Sequence, residues 1–171
     1  MTEGGGQSRR EWIREALARY EGPLVRYAAR ITGDPESARD VVQEAFGRLC
    51  GEDASDLNGR VGPWLFAVCR NRALDVRRKE RRMTTATTSV LEGVADAATD
   101  PAIAASDREE AGGVLRLLNR LPESQQEAIR LKFQEGMSYR QISEVTGHSV
   151  SHVGVLIHEG MKALRARLCR E

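Results

Sequence analysis

The sequence predicts an all-α protein made of two small helical domains joined by a flexible linker, and three observations carry that expectation. Apolar residues recur at steps of three or four through successive segments, the period of a helix face rather than of a strand. Aromatics make up only 5% of the 171 residues, which suits packing on Leu, Val and Ala better than a β-sandwich. Residues 83 to 106 then change to Thr, Ala, Ser, Gly and Asp with one proline and no sustained period. Such a composition buries little and reads as a linker.

Residues 1 to 8, MTEGGGQS, read as a disordered, frayed tail. From 9 to 31, Ile13, Leu17, Tyr20, Leu24, Ala28 and Ile31 mark an amphipathic helix. Gly22-Pro23 is expected to kink or split it, because proline lacks a backbone donor and clashes with the preceding turn. Asp34-Pro35 supplies an N-cap followed by proline at the first helical position. The helix from 35 to 50 buries Ala38, Val42, Ala45, Phe46 and Leu49, and shows Asp40, Gln43 and Glu44 as an acidic patch on its other face. Residues 51 to 62 are polar, with flanking glycines, and read as a loop. Pro63 starts the next helix, WLFAVCRNRALDVRRKERR, with Leu65, Val68, Cys69 and Val76 inward and its basic residues outward. The first domain thus spans 9 to 82.

The second domain spans 107 to 171. Asp107 caps a helix that buries Val114, Leu117, Leu118 and Leu121; after Pro122 another runs from 123 to 135 with Ala128, Ile129, Leu131 and Phe133 inward. Ser138 and Gln141 form a capping-box pattern ahead of a short helix. Thr146-Gly147-His148 makes the turn, and Ser149 caps a longer helix whose stripe is Val150, Val153, Ile157, Gly160, Leu164 and Leu168. This is a helix-turn-helix pattern. Ser151 and His152 fall near the exposed start of the second helix, where a recognition helix reads base edges. Two helices on a glycine turn also occur in purely structural bundles, so this stretch alone leaves both roles open.

The formal net charge is only +1, so attraction to nucleic acid must come from segregation of charge. Between 60 and 82 there are eight Lys or Arg against Asp75 and Glu80, a balance of +6; between 92 and 112 there are six acids against Arg108, a balance of −5. Part of the basic run also suits a solvated helix C-terminus. Cys50, Cys69 and Cys169 are odd in number and scattered, which indicates neither a disulfide framework nor a zinc knuckle and fits a reducing cytoplasm. No long apolar run or secretion signal is present, so no membrane partner is expected. His148 lies in the turn and His152 and His158 are on different faces, with no Cys or acid to complete a tetrahedron. No serine has a supporting base at motif spacing, and no phosphate loop follows a strand. Catalytic residues, metal and cofactors are therefore not expected.

Two blocks together carry a family resemblance. GDPESARDVVQEAFGRL with WLFAVCRNRALDVRRKERR resembles region 2 of bacterial sigma-70 factors, and LNRLPESQQEAIRLKFQEGMSYRQISEVTGHSVSHVGVLIHEGMKALRARL resembles region 4. The resemblance spans most of 10 to 82 and 107 to 169, with nothing like region 3 between, which points to the small extracytoplasmic-function (ECF) type. It implies a factor that binds core RNA polymerase, recognises minus-ten and minus-thirty-five promoter elements and starts transcription. Asp40, Gln43 and Glu44 hold the DxxQE position, which such factors turn toward the polymerase clamp helices. The basic helix, with Arg70, Asn71, Arg72, Asp75, Arg77, Arg78 and Lys79, matches the segment that engages the minus-ten element. There an amide and a carboxylate can pair with base edges while cations neutralise phosphate. Asp75 can alternatively pair with Arg78 or Lys79 on its own helix. The loop from 51 to 62 lies where the family captures a non-template base.

The recognition helix departs from the family pattern. Where Lys and Arg are common, this chain has Gly154, Leu156, Glu159 and Met161. Candidate minus-thirty-five contacts are Arg140, Ser149, Ser151, His152, Val155, Lys162 and Arg165, with Arg167 a further cation. Val155 and Leu156 are expected to be exposed, and the two helix glycines to serve close approach. Upstream recognition is expected to be weak by itself. A linker over 83 to 106 would also permit an anti-sigma factor to insert between the domains. Two other readings of the chain are a helix-turn-helix regulator acting without polymerase and an interaction protein on the same fold.

Overall fold

A computed structural model describes residues 3–87 and 108–169. Among them are eight α-helices and no strand, and the chain divides into two compact units, Met1–Asp96 and Ala97–Glu171.

The first unit is built from α1 (Glu3–Thr32), α2 (Pro35–Leu49), the single turn α3 (Ala54–Leu57) and α4 (Val61–Thr87). Helices α1, α2 and α4 pack pairwise around Leu24, Ala28, Val41, Val42, Phe46, Leu49, Leu65, Phe66 and Cys69. Tyr27 and Phe66 meet at 5.1 Å between ring centroids. Burial pushes the Cys69 thiol up to about 12, so this cysteine behaves as a small apolar side chain.

Three boundaries differ from expectation. First, α1 begins at Glu3, so residues 3 to 8 extend the helix instead of forming a disordered tail. It also runs unbroken through Pro23. The proline forfeits one donor, but the buried Leu24, Tyr27 and Ala28 that follow clamp the helix onto its neighbours, and that burial outweighs the local preference. Second, the loop after α2 contains α3. Asp53 caps it, Leu57 plugs its end into the core, and Asn58 closes it in the left-handed region at φ 39°. Third, α4 reaches Thr87, taking the first five residues expected in the linker. Thr84 and Thr85 hydroxyls donate back to the carbonyls of Glu80 and Arg81 at 2.9 and 2.8 Å, which accommodates both residues in the helix. The rest of that linker lies outside the described residues.

Gly33 at φ 77° ends α1, and Asp34 then caps α2 by accepting the Ser37 N–H at 2.8 Å. Bonds from Ser37 hold the Asp34 carboxyl below its usual 3.8, and bonds from Ser55 do the same for Asp53. A depressed folded value means that the unfolded chain binds the proton more readily. The stabilisation is therefore complete above the usual carboxylate range and is lost as pH falls through the folded value. Asp34→Asn keeps the capping acceptor without the titration, so acid unfolding monitored by circular dichroism should show a shallower pH dependence than wild type.

The second unit comprises α5 (Arg108–Leu118), α6 (Glu123–Phe133), α7 (Tyr139–Thr146) and α8 (Val150–Leu168), with α8 packed against the other three. Leu117, Leu118, Leu121, Ile129 and Leu164 form one apolar cluster. Gln126 secures the α5–α6 turn by donating to the Leu121 carbonyl at 2.7 Å, and Arg130 donates to Asn119 Oδ1 at 2.8 Å. Four residues assigned inward, Val114, Phe133, Val150 and Leu168, are exposed, whereas Leu156, assigned outward, is 7% exposed. Phe133 and Leu168 are the last residues of α6 and α8 and Val150 is the first of α8, where the packed face runs out, while Val114 lies one turn before the buried Leu117 and Leu118. Leu156 follows Val153 by three residues and shares its buried face.

Candidate functional site

On α2 the DxxQE residues divide into two kinds. Asp40 and Gln43 project into solvent. Glu44 is held: Oε1 accepts Arg48 Nη2 at 3.1 Å and Oε2 accepts Arg72 Nε at 2.6 Å. Arg48 lies one turn along α2 and Arg72 on α4, so Glu44 joins the acidic patch to the basic helix. The partners of the Arg72 pair remain about 40% exposed, at 44% and 38%, where such a pair contributes at most about 1 kcal/mol. The two candidate surfaces of this unit are thus adjoining rather than separate, which helical spacing alone did not reveal.

Along α4, Asn71, Arg72, Asp75, Arg78 and Lys79 are exposed, and Arg70 and Arg77 are half-buried. Asp75 accepts Arg78 Nη2 at 3.1 Å, the intrahelical pairing left open above. Asn71 remains the exposed uncharged amide on that face. Arg81 and Arg82 continue the exposed basic surface.

In the second unit both cap predictions hold. Ser138 N–H donates to Gln141 Oε1 at 2.8 Å while Gln141 N–H donates to Ser138 Oγ at 3.2 Å, a complete capping box. Gly147 takes φ 77°, and Ser149 Oγ accepts the His152 N–H at 3.1 Å. Ser149 therefore fixes the start of α8, while Ser151, His152 and Val155 are exposed beyond it, with Val155 at 55%. Ser151, Val155, Lys162 and Arg165 recur at steps of four, seven and three and share one face. Lys162 is nonetheless about 16 Å along the axis from Ser151. The reading end of α8 carries no cation of its own, and Arg140 is exposed on α7.

Lys162 and Arg165 border an open cleft lined by Phe133, Tyr139, Ile157 and Met161. Phe133 is 61% exposed there, and Lys132 Nζ sits 5.3 Å from the centre of the Tyr139 ring. Periodicity had placed Phe133 in the core; its position at the last residue of α6 removes it from the packed face. The His148 and His152 rings meet edge to face at 4.9 Å.

Family comparisons divide the chain at the same place. The model described as Sigma-70 region 2 matches residues 16–83, and Sigma-70, region 4 matches residues 112–164. The ECF RNA polymerase sigma factor SigL of Mycobacterium tuberculosis is 30% identical over 170 residues, covering 98% of this chain and 94% of that protein. This chain belongs to the ECF group of the sigma-70 family. SigM of Bacillus subtilis is 26% identical over 155 residues, covering 90% of this sigma factor and 93% of SigM. Among solved structures, RpoE of Bartonella quintana in complex with the anti-sigma factor NepR shares the fold at TM-score 0.65 and 21% identity, covering 91% of this chain and 95% of that one. CnrH in complex with the cytosolic domain of CnrY does so at 0.60 and 22%, covering 95% and 90%. The sigma factor's α1 to α4 unit carries region 2 and its α5 to α8 unit carries region 4. No helix among its described residues is long and apolar enough to cross a membrane.

Proposed function

We propose that this sigma factor binds core RNA polymerase through α2, engages the minus-ten element through α4 and the loop before it, and touches the minus-thirty-five element through α7 and α8. The observation that carries the proposal is the occurrence of regions 2 and 4, in that order, on a single chain. The family is not an enzyme class, and the polymerase supplies the chemistry. Asp40 and Gln43 suit a basic helical partner, where charge sets register and on-rate. Glu44 contributes to that surface indirectly, through its bridge to Arg72. The test is run-off transcription with purified core enzyme: specific initiation that depends on this chain supports the proposal, and its absence on every template refutes it. A helix-turn-helix regulator acting alone could not confer initiation on core.

On α4, Asn71 is the group we assign to an exposed base edge, and Arg70, Arg72, Arg77, Arg78 and Lys79 to phosphates. Asp75 restrains Arg78. The loop between α2 and α4 takes an unstacked non-template base against its polar rim. Asn71→Ala is expected to lower open-complex formation by about tenfold, the loss of roughly 1–3 kcal/mol of base discrimination, while leaving closed duplex binding nearly unchanged. Permanganate footprints equal to wild type would count against this role.

In region 4 the first turns of α8, with Ser151, His152 and Val155, carry no Lys or Arg, and Lys162 lies about 16 Å further along the axis, so upstream contact is weak until polymerase holds it in place. Residues 107 to 171 titrated alone with promoter DNA should bind weakly and with a shallow salt slope, near 0.9 per phosphate contacted. Tight binding with a steep slope would overturn that part. An anti-sigma factor is a further expected partner, consistent with the fold shared with RpoE, which was solved in complex with the anti-sigma factor NepR.

A further inference from the structure

Arg9 stands on α1 about two turns in from Glu3. Its Nη2 donates to two backbone carbonyls far along the chain, those of Cys50 and Glu52, the second at 2.9 Å. These carbonyls belong to the turn that leaves α2, where Gly51 N–H bonds the Arg48 carbonyl at 2.9 Å and Glu52 N–H bonds the Leu49 carbonyl at 3.1 Å. The end of a helix exposes unpaired carbonyls and a partial negative charge, which a guanidinium matches.

The loop continues from this anchor through Asp53, whose Oδ1 accepts the Ser55 N–H at 3.0 Å and the Ser55 hydroxyl at 2.9 Å. The charge of Arg9 also favours the Asp53 carboxylate, after those bonds. Leu57 is buried, Asn58 and Gly59 turn the chain at φ 39° and 74°, and α4 begins at Val61. There Gly62 passes so close to α1 that a Cβ would lie 2.9 Å from Tyr20 Oη. Arg9 and Tyr20 are eleven residues apart, about three turns, so they share one face of α1. One helix face therefore holds the loop at both ends. Between the anchors Ser55, Asp56 and Asn58 are exposed.

We infer that Arg9 is a positioning residue for this loop: by pinning the α2–α3 turn to α1 it sets where Ser55, Asp56 and Asn58 meet an unstacked base. The inference rests on the base-contacting role proposed for the loop. A polar rim selects a base only when its donors and acceptors are held in place before contact; a mobile rim loses both affinity and selectivity. Arg9 is exposed and its bonds are at the surface, so losing them changes loop placement more than global stability.

The test uses the full chain with core polymerase on promoter templates randomised at the non-template minus-ten bases. Open complexes are scored by permanganate reactivity and by the bases recovered, alongside core affinity and the urea unfolding midpoint. Arg9→Ala is expected to reduce opening by about tenfold and flatten base preference at the loop-contacted position, with core affinity and midpoint unchanged. Arg9→Lys should recover part of both, since an ammonium can donate to a carbonyl but lacks the planar fork. A parallel variant, Ser55→Ala with Asp56→Ala, tests the loop itself. If that variant shifts base preference and Arg9→Ala does not, the positioning role is wrong and the loop assignment stands. If neither shifts it, the loop assignment fails and the inference falls with it. A fall in opening matched by equal falls in core affinity and midpoint would mark Arg9 as merely structural and also overturn the inference.

Discussion

Asp40→Arg is expected to weaken binding to core polymerase by about 30- to 100-fold, because a like charge set against a basic surface costs several kcal/mol and each 1.4 kcal/mol is about tenfold in Kd. Asp40 is exposed on α2, and among the described residues no ion pair ties it to another helix in the way Glu44 is tied to Arg72. Its replacement should therefore leave the unfolding free energy within about 0.5 kcal/mol of wild type. Glu44→Ala is a poorer probe, since it also removes the bridge between α2 and α4 and frees two arginines at once. A fluorescence-anisotropy titration of labelled chain with core enzyme separates the cases. An unchanged Kd for Asp40→Arg would remove α2 from the polymerase interface.

The second large effect concerns two glycines of α8 that look equivalent in the sequence. A Cβ on Gly160 would lie 2.6 Å from Ile129 Cδ1, with Gln125 Cβ at 3.4 Å and Leu121 Cδ1 at 3.5 Å. Ile129 is itself buried, so the methyl has little room to retreat. Gly160→Val should destabilise the region 4 unit by about 2–3 kcal/mol through overpacking. At Gly154 the nearest atom to a Cβ is Tyr139 Cε2 at 3.6 Å, an ordinary contact. Gly154→Ala should instead stabilise the helix by about 0.5–1 kcal/mol, the usual glycine-to-alanine gain. Urea unfolding followed by circular dichroism reads both, and equal effects at the two positions would contradict the close approach of α8 to α6.

That contrast also marks how far the sequence could be read. The expectation that both glycines serve close approach holds at Gly160 and fails at Gly154, because a helical period says which face a residue shares but not how near the neighbouring helix passes. The acidic patch was visible as spacing on α2, yet the diversion of Glu44 to Arg72 was not, since the two are 28 residues apart and meet only where α2 crosses α4. Arg9 gave no sign at all. Its acceptors are backbone carbonyls, which every residue has, so no side-chain pattern could name them. Phe133 and Leu156 exchanged places with expectation for a related reason: at the edges of a stripe, the partner helix decides burial.

What the amino-acid order determined by itself is local or collective. The cap at Asp34, the capping box at Ser138, the left-handed turn at Gly147, the start of α8 at Ser149 and the succession of regions 2 and 4 all follow from it. Caps and turns act over three or four residues, where chain connectivity already sets the geometry. Tertiary structure alone decided that α1 continues through Pro23, that Glu44 binds two helices together, that Arg9 and Tyr20 hold one loop between them, and that Gly160 cannot bear a side chain. Each of these depends on the distance and angle at which helices cross, which is settled when the whole core packs and not by any one segment.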